Sequence, residues 1–375
     1  MKIGFDAKRA FLNNTGLGNY SRTTLSNLIE YFPGDEYFLY TTSKGRREDF
    51  LAGKENVNVV FPEAFLQYFP SVWRSYFIKN NLVKDGIDIY HGLSNELPAG
   101  IEKTNIKTVV TIHDLIFLRF PHLYPSVDRL IYKKKFRNAC AVADRVIATS
   151  EQTKNDIMEF FGTDPAKISV VYQGCSDIFY QTFTDAEKER VKKKYSLPDR
   201  YILNVGTIEE RKNLLTLVEA LNELREESID IPLVVVGKPT TYKNEVVQYL
   251  EDEHMLTRVI FLENIPSSDF PAVYQLASLF VYPSFFEGFG IPVIEALCSG
   301  VPVITSTESC LPEVGGPHSG YINPYDTADL AHAIQKVLSD SAKAREMSSK
   351  GKEFVQKFHK SRVTEELMNV YRSLK

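Results

Sequence analysis

The sequence predicts an α/β protein built from two doubly wound domains. A chain of 375 residues exceeds what one hydrophobic core usually serves, so about two domains are expected. Short apolar runs alternate with helical patterns in both halves, which is typical of parallel sheets covered by helices on both faces. A polar, charged stretch at 181–200 separates the two series. We therefore expect domains at 1–180 and 181–358, followed by a closing helix at 359–375.

Composition and charge narrow the class of protein. Hydrophobic residues make up 43% of the chain and charged residues 25%, which are ordinary fractions for a globular protein. The net charge of −4 gives no overall reason to expect nucleic-acid binding. The four cysteines form no C-x-x-C pair, so we expect reduced structural thiols. Because the sequence contains no signal peptide and no apolar run of roughly 18 residues, we expect a cytoplasmic protein.

The first half alternates strand-like and helical segments. The predicted strands are 2–6, 37–41, 57–61, 88–91, 108–112, 145–149 and 169–172. The predicted helices are 18–31, 65–84, 126–143 and 151–160. This alternation predicts a parallel sheet with helices on both faces.

The second half repeats the pattern after residue 200. The predicted strands are 201–206, 232–236, 259–262, 279–282 and 301–305. Amphipathic helices close the chain, at about 326–338, 342–358 and 361–374.

A glycine pair, Gly16 and Gly18, follows the first predicted strand. A dinucleotide-binding fingerprint needs a third glycine, where this chain has Ser21, and it begins directly after the strand. The pattern therefore disfavours a hydride-transferring dehydrogenase. The glycines are either a flexible turn into a helix or part of the backbone of a binding site.

The stretch 284–296 joins a buried apolar strand to a helix through an aromatic, glycine-containing loop. Pro292 suits the first helical turn, and Gly290 lets main-chain N–H groups approach a ligand closely. The helix N-terminus adds a partial positive charge that favours phosphate. Two carboxylates, Glu287 and Glu295, stand eight residues apart beside this anion site. A ligand carrying both phosphates and hydroxyls, such as a nucleotide sugar, fits that combination.

The Glu287-x7-Glu295 pattern resembles the signature of retaining glycosyltransferase family 4, and the match continues through 296–304. The resemblance implies the GT-B fold, in which two Rossmann-like domains face a central cleft. It implies an N-terminal acceptor-binding domain, a C-terminal nucleotide-sugar-binding domain and a last helix that returns to the N-terminal domain. In the family the first glutamate binds sugar hydroxyls and the second binds the ribose.

A second segment, 206–213, runs Gly-Thr-Ile-Glu-Glu-Arg-Lys-Asn and begins with Gly206 and Thr207. Asn213 is a good N-cap residue, so Arg211 and Lys212 are predicted at a helix start. The helix dipole disfavours cations there by roughly 0.3–1 kcal/mol each, unless an anion is bound. The alternative is a pair of surface cations neutralised by neighbouring glutamates.

This segment resembles the Gly-Thr-x-Glu-Pro-Arg-Lys-Asn stretch of family 4, although Glu210 stands where relatives often have proline. The resemblance implies that Arg211 and Lys212 clamp the donor diphosphate, with Gly206 and Thr207 beside it.

His113 ends an apolar run and is followed by Asp114. Ligands of open α/β sheets bind beyond the carboxyl ends of strands, which favours a functional role for this histidine. The segment resembles the His-Asp-Leu segment of family 4, in which the histidine contacts the sugar near the reacting centre. For His91, which also follows a strand, structural and functional roles are equally expected.

The resemblance also implies roles for several backbone positions. The loop with Gly16 and Gly18 would reach toward the donor phosphates and the acceptor. Gly237 and Ile265 follow predicted strands at the positions where the family holds the nucleotide base.

The reaction implied is retaining transfer of a hexose, with mannose favoured, from a GDP- or UDP-sugar to a saccharide or lipid-linked acceptor of surface-polysaccharide assembly. Arg211, Lys212 and the N–H groups around Phe289, Gly290 and Ile291 would stabilise the leaving diphosphate. These fixed cations would replace a divalent metal, so no metal and no cofactor are expected. His113 and Glu287 would act on the sugar.

Other readings stay open at this point. A non-hydride nucleotide-sugar epimerase of the same fold would bind a similar donor, and so would a non-catalytic nucleotide-sugar-binding subunit. Aromatic residues with scattered cations at 65–79 and a basic cluster at 133–137 are interpreted as core aromatics and a solvated helix face. Peripheral contact with an anionic bilayer, at the inner membrane face, is the alternative.

Overall fold

A computed structural model describes residues 1–43, 45, 51 and 54–375 of the chain. The chain divides into two compact units. Unit 1 comprises residues 1–174 and 360–375, and unit 2 comprises 175–359. The chain therefore passes between units at 174/175 and 359/360, whereas the sequence predicted boundaries at 180/181 and 358/359.

Unit 1 contains a parallel sheet that, within the described residues, has seven strands in the order β3-β2-β1-β4-β5-β6-β7. The strands are β1 (Lys2–Asp6), β2 (Glu36–Tyr40), β3 (Val57–Val60), β4 (Ile89–Gly92), β5 (Lys107–Ile112), β6 (Arg145–Ala148) and β7 (Ile168–Val170). All were predicted to within one or two residues at their ends. The order reverses between β1 and β4, as in doubly wound sheets.

Helices cover this sheet. They are α1 (Lys8–Leu12), α2 (Gly16–Tyr31), α3 (Pro70–Val72), α4 (Ile78–Lys84), α5 (Ile116–Arg119), α6 (Ser126–Val142) and α7 (Glu151–Phe161). The predicted continuous helix at 65–84 is wrong. A 3₁₀ turn precedes Pro70 and a π turn, Trp73–Phe77, separates α3 from α4. Proline lacks the N–H that a continuous helix needs, so the chain restarts at Pro70.

Unit 2 contains a second parallel sheet, six-stranded over residues 175–359, which are all described, in the order β10-β9-β8-β11-β12-β13. The strands are β8 (Ile202–Val205), β9 (Leu233–Val236), β10 (Val259–Leu262), β11 (Leu279–Tyr282), β12 (Val303–Ser306) and β13 (Gly320–Ile322). The sequence missed β13, a three-residue edge strand too short for a recognisable apolar pattern. The predicted fold class, two doubly wound α/β domains, is confirmed.

The helices of unit 2 flank this sheet, and one further helix returns the chain to unit 1. They are α8 (Asp185–Tyr195), α9 (Leu214–Glu226), α10 (Lys243–Asp252), α11 (Phe270–Gln275), α12 (Ile291–Cys298), α13 (Leu311–Gly315), α14 (Thr327–Ser339), α15 (Ser341–Phe354) and, in unit 1, α16 (Lys360–Arg372). Helix α16 packs against α2, and its apolar side chains Leu367 and Met368 are buried in the core of unit 1.

An exposed apolar face runs along the segment before α4 and the first half of α6. Phe65 is 69% exposed, Tyr68 74%, Tyr76 58% and Leu130 71%. The interpretation of these aromatics as core residues is therefore wrong, except for Trp73, which is buried and donates to Asn81. In the described part of the chain, no helix has the length and apolar character needed to cross a bilayer.

Candidate functional site

In unit 2, several predicted site residues form an ion cluster where the chain leaves two neighbouring strands. Arg211 and Lys212 follow β8, and Glu287 follows β11, which pairs with β8. One carboxylate oxygen of Glu287 lies 2.8 Å from Nη1 of Arg211, and the other accepts from Nζ of Lys212. A second carboxylate, Glu209, pairs with the other guanidinium nitrogen of Arg211 at 2.5 Å. The structure therefore brings both predicted cations to the predicted glutamate.

Neighbouring polar groups fix the Glu287 loop. The Tyr282 hydroxyl donates to Glu287 Oε1 at 3.0 Å, and Lys212 also reaches that hydroxyl. The Glu287 N–H donates to Ser309 Oγ at 3.0 Å, and Cys310 Sγ donates to the Glu287 carbonyl at 3.2 Å. The carboxylate is thus pre-positioned by its own backbone, which is what a binding group needs.

Charge and burial set the protonation states of this cluster. Burial alone would raise the pKa of Glu287, which is 7% exposed, but the charges of Arg211 and Lys212 outweigh burial and lower it to about 2. Burial lowers the pKa of Lys212, and Glu287 offsets this only in part. At neutral pH Glu287 is an ionised group with oxygens that accept hydrogen bonds.

Asn213 occupies the predicted N-cap position of α9, yet its side chain does not cap the helix. It has a left-handed backbone (φ 57°), and its Nδ2 donates to the carbonyls of Pro283 and Pro324 at 3.1 and 2.7 Å. The main chain adds a further link, from Phe285 N–H to the Arg211 carbonyl at 3.0 Å. Asn213 therefore ties the cationic turn to the loop that carries Glu287, a role that capping statistics do not predict.

Glycines shape the floor beside Lys212. Gly206 directly follows β8 with φ 151°, and the Lys212 side chain passes 3.5 Å from the position that a Cβ would occupy. A Cβ on Gly237, at the end of β9, would lie 1.7 Å from the Gly206 carbonyl oxygen. Thr207 is exposed next to them. The two strand ends lie so close together beside the cations that only glycine fits at Gly237.

The start of α12 carries the second glutamate. Gly290 precedes the helix with φ 107°, Phe289 is buried, and Ile291 begins the helix. One turn further on, Glu295 accepts from the Tyr274 hydroxyl at 2.8 Å. Burial raises the pKa of Glu295 to about 7, against that hydrogen bond. Its carboxyl group is therefore poised between the two protonation states at neutral pH.

The remaining predicted residue of unit 2, Ile265, lies three residues beyond β10 and is partly buried. Its strand is at the edge of the sheet, two places from β8. The strand order places β9 between the strand that precedes Ile265 and β8, which precedes Arg211 and Lys212.

His113 follows β5 in unit 1 and is 5% exposed. Its Nε2 lies 2.9 Å from the Leu93 carbonyl, so Nε2 carries the hydrogen and Nδ1 carries the lone pair. Burial lowers the pKa of His113 to about 4, which keeps the ring neutral at physiological pH. The Tyr20 ring meets it edge-on, with 4.5 Å between centroids. A neutral, oriented imidazole with an acceptor nitrogen can receive a hydrogen bond from a hydroxyl.

His91 is fully buried, and both its ring nitrogens are bonded. Nδ1 lies 2.7 Å from the Tyr371 hydroxyl of α16, and Nε2 lies 2.8 Å from Thr111 Oγ1. This histidine is a structural link between the sheet and the last helix. The predicted glycine pair, Gly16 and Gly18, lies in the first turn of α2 and not in a loop before it.

The predicted residues thus fall into two sets. His113, Gly16 and Gly18 belong to unit 1, and the others belong to unit 2. Sequence reasoning missed Tyr282, Ser309 and Tyr274, which orient the two glutamates. Tyr282 ends an apolar strand, so its position offered no signal of a polar role. In the described residues, no group of three or more His, Cys, Asp or Glu side chains is arranged to hold a metal ion.

Comparisons with known proteins agree with the fold of the two units. Residues 15–177 match the model of Glycosyltransferase Family 4, and residues 185–354 match that of Glycosyl transferases group 1. Solved structures show the same fold. The structure of Anabaena HepE in complex with UDP is similar over 100% of both chains, with a TM-score of 0.77 and 17% identity. Two parallel-sheet domains of this kind define the GT-B class of glycosyltransferases.

Two curated relatives of the chain are named as mannosyltransferases. The chain is 28% identical to the O-antigen chain mannosyltransferase B of Escherichia coli, over 100% of both proteins. It is 31% identical over 272 residues to the E. coli serotype-specific mannosyltransferase WbdA, which covers 70% of this chain but only 33% of WbdA. The resemblance to glycosyltransferase family 4 and the prediction of a glycosyltransferase from the sequence are confirmed.

Proposed function

We propose that this glycosyltransferase transfers a mannose-like hexose from a nucleoside-diphosphate sugar to a saccharide or lipid-linked acceptor, with retention at the anomeric carbon. The observation that carries the proposal is the cluster of Arg211, Lys212 and Glu287. It combines two cations suited to a diphosphate with one ionised carboxylate suited to sugar hydroxyls. A nucleotide sugar presents both kinds of group.

In the absence of substrate, the cations are neutralised by Glu287 and Glu209. Donor binding would give Arg211 and Lys212 phosphate oxygens as additional partners. As the bond to the sugar breaks, negative charge grows on the diphosphate, and preorganised cations stabilise that charge without reorganisation. The N–H groups around Phe289, Gly290 and Ile291 would add donors at the start of α12. With these charges fixed in the protein, the reaction would proceed without a divalent metal.

The remaining roles follow from the protonation states. Ionised Glu287 would orient sugar hydroxyls, and Glu295 would accept hydrogen bonds from the ribose. His113 would use Nδ1 to accept a hydrogen bond from the sugar near the reacting carbon. Gly206, Thr207, Gly237 and Ile265 would line the phosphates and base.

Mannose is favoured because the relatives just described are named mannosyltransferases. GDP- and UDP-sugars are both retained as candidate donors, since HepE was solved with UDP. Surface-polysaccharide assembly is supported by the O-antigen name of the full-length relative.

The test is a donor panel of GDP-mannose, UDP-glucose and UDP-galactose with a membrane-derived acceptor fraction, in EDTA and in Mg²⁺. We expect nucleoside diphosphate to be released from one donor only when acceptor is added, and equally in EDTA. NMR of the product should show the anomeric configuration of the donor. Release of sugar isomers without acceptor would identify an epimerase, and tight donor binding without turnover would identify a binding subunit.

We further propose that the exposed apolar face of unit 1 contacts an anionic bilayer. Glu96 joins its two segments, because Arg74 and Lys135 both bond the Glu96 carboxylate, at 2.8 and 3.3 Å. These ion pairs connect the segment that exposes Phe65 with helix α6, which carries both Leu130 and the basic residues. Apolar insertion combined with attraction to anionic headgroups is the usual basis of peripheral binding.

Co-sedimentation with vesicles tests this contact. We expect binding to phosphatidylglycerol-containing vesicles and none to pure phosphatidylcholine vesicles. The variant Phe65→Ser/Tyr68→Ser/Leu130→Ser should bind these vesicles at least about tenfold more weakly than the unmodified protein. The control Leu256→Ser, at a 43% exposed site in unit 2, should bind them as the unmodified protein does. If the triple variant and Leu256→Ser bound the vesicles equally well, the proposed bilayer contact would be wrong.

A further inference from the structure

A cavity of about 190 Å³ in unit 1 lies outside the predicted site residues. It is lined by Lys8, Arg9, Leu12, Asn13 and Arg74, so three of its five lining side chains are cationic. Lys8 and Arg9 belong to α1, directly after the carboxyl end of β1, where ligands of doubly wound sheets bind. The cavity therefore has the position and the charge of an anion-binding site.

Arg74 is held in place by two carboxylates. Its Nη1 lies 2.7 Å from Asp6, the last residue of β1, and its Nη2 lies 2.8 Å from Glu96. The Asp6 carboxylate raises the pKa of Arg74. Glu96 is shared with Lys135 at 3.3 Å. The ion pairs of Asp6 and Glu96 are made with Arg74 and Lys135, and within the described residues they do not include the other two lining cations.

Lys8 and Arg9 are those two cations. Among the residues that the structure describes, neither side chain has an ion pair or a hydrogen bond, although both are only partly exposed. Burial lowers the pKa of Lys8 and the charge of Arg74 adds to that effect, and together they outweigh the opposite influence of Asp6 and Glu96. Crowded cations repel one another, and an anion in the cavity would relieve this repulsion.

Asn13 adds a neutral donor to the same wall. Its Oδ1 accepts from the Thr15 N–H at 2.7 Å and from the Thr15 hydroxyl at 2.6 Å. Since the oxygen is used internally, Nδ2 is the group that can donate to a ligand. Ammonium, guanidinium and amide groups all donate, so the polar lining matches a ligand group that only accepts.

We propose that this cavity binds a phosphate group carried by the acceptor substrate. The inference rests on the proposed glycosyl transfer and names a chemical class for its acceptor. Tetrahedral phosphate offers more acceptor oxygens than a carboxylate does and can bond Lys8, Arg9 and Asn13 together.

The cavity and the histidine assigned to the reaction lie at the same edge of the unit 1 sheet, beyond β1 and β5, which are separated by β4. Burial is the main cause of the low pKa of His113, but the charge of Arg9 contributes to it. Arg9 is therefore within electrostatic reach of that imidazole. A phosphate bound here would anchor the acceptor from unit 1, close to the ring nitrogen that is proposed to bind the sugar.

Calorimetric titration of inorganic phosphate into the full chain tests the site. The protein is first saturated with GDP or UDP, whichever binds, so that Arg211 and Lys212 are occupied. We expect one saturable phosphate site, at least about tenfold weaker in Lys8→Gln/Arg9→Gln. The single variant Lys103→Gln, at an exposed cation of unit 1, should match the unmodified protein. Lys8→Arg should keep the affinity because the charge remains.

The outcomes separate this inference from the proposed function. If neither nucleotide binds, the donor site is wrong. If a nucleotide binds but phosphate does not saturate, or binds the double variant equally well, only the cavity assignment is overturned. Mannose 1-phosphate should bind like phosphate, whereas methyl mannoside and acetate should not. Binding of inorganic phosphate without mannose 1-phosphate would refute an acceptor-borne group. The double variant should melt at or above the temperature of the unmodified protein, which excludes misfolding as the cause.

Discussion

The Lys212 ammonium and the Glu287 carboxylate, 75 residues apart in the chain, form an ion pair beyond the carboxyl ends of the paired strands β8 and β11. Each group is largely withdrawn from water, with 14% and 9% of its side chain exposed. The pair therefore depends on both loops at once. Removing either partner would leave a buried charge, which costs more than an exposed ion pair contributes.

Glu287→Gln should lower the free energy of unfolding of unit 2 by about 3–5 kcal/mol at pH 7, because Arg211 and Lys212 lose their buried partner. Urea unfolding of both proteins measures the difference. Glu209→Gln is the matched control, since its side chain is 36% exposed and its ion pair should contribute about 1 kcal/mol or less. Similar losses in the two variants would contradict a buried, coupled cluster.

The pH dependence of that stability has a defined sign. The pKa of Glu287 is about 2 in the folded protein and near 4.5 when exposed, so its contribution is complete above pH 4.5 and is lost as the pH falls toward 2. Glu287→Gln should flatten the stability curve across this window. An unchanged acid transition in the variant would show that Glu287 is not the depressed carboxyl group.

Much of the ion cluster in unit 2 could be predicted from the sequence because its parts are local. Arg211 and Lys212 are assigned from a predicted helix start, Glu287 from the loop after an apolar strand, and the family resemblance assigns all three to one ligand. The strand pattern predicted the described strands other than β13 because buried parallel strands are continuous apolar runs.

Other features depend on tertiary contacts that no local pattern carries. Asn213 is a good cap by residue type, but the carbonyls of Pro283 and Pro324 compete for its amide. Tyr274 becomes a partner of Glu295 only because α11 packs near α12. The aromatics at Phe65 and Tyr68 resemble core residues in sequence, and only the fold shows that no described element covers them.

Glu295 should make nucleotide affinity depend on pH near neutrality. Its pKa is raised to about 7 by burial, and only the carboxylate can accept hydrogen bonds with both oxygens. The affinity for nucleoside diphosphate should therefore rise between pH 6 and 8, and titration calorimetry at several pH values would measure this. Glu295→Gln should bind more weakly at pH 8, with a flat profile.

The raised pKa of Glu295 also predicts that Glu295→Gln weakens nucleotide binding without weakening the folded state. A raised carboxyl pKa means that ionisation of Glu295 above pH 4.5 opposes folding, so Glu295→Gln should be at least as stable as the unmodified protein at pH 8. A variant that loses both stability and affinity would refute the assigned pKa.

His113 should contribute to turnover without titrating in the working range. Its pKa of about 4 keeps the ring neutral above pH 5. We expect kcat to be flat between pH 5.5 and 8 at saturating donor, and His113→Ala to reduce kcat roughly 10- to 100-fold. The variant His113→Asn retains a side-chain hydrogen-bond acceptor, so its kcat should lie between that of His113→Ala and that of the unmodified enzyme. A kcat inflection near pH 6.5 that disappears in His113→Ala would contradict the buried, neutral histidine.

The link between His91 and Tyr371 should contribute to the stability of unit 1. Tyr371→Phe leaves the buried Nδ1 of His91 without its 2.7 Å partner, at a cost of about 1–3 kcal/mol. Urea unfolding followed by the fluorescence of Trp73, the single tryptophan, would report this loss. Tyr68→Phe, at a 74% exposed site, is the control and should change stability by less than about 0.5 kcal/mol. Equal stability of the two variants would mean that α16 is held by its apolar side chains alone.

The two glycines in the first turn of α2 should respond differently to alanine. A Cβ on Gly18 would lie 2.0 Å from the Asn13 carbonyl oxygen, whereas a Cβ on Gly16 meets nothing within 4 Å. Gly18→Ala should therefore destabilise unit 1 by about 1–3 kcal/mol. Gly16→Ala should be neutral or stabilising by up to about 1 kcal/mol, since alanine favours a helix. Thermal melting would compare them, and transfer assays on Gly16→Ala would then test whether substrate approaches this backbone. Reduced transfer with unchanged stability is the expected signature of such an approach, because the added methyl group would occupy space that only a ligand uses.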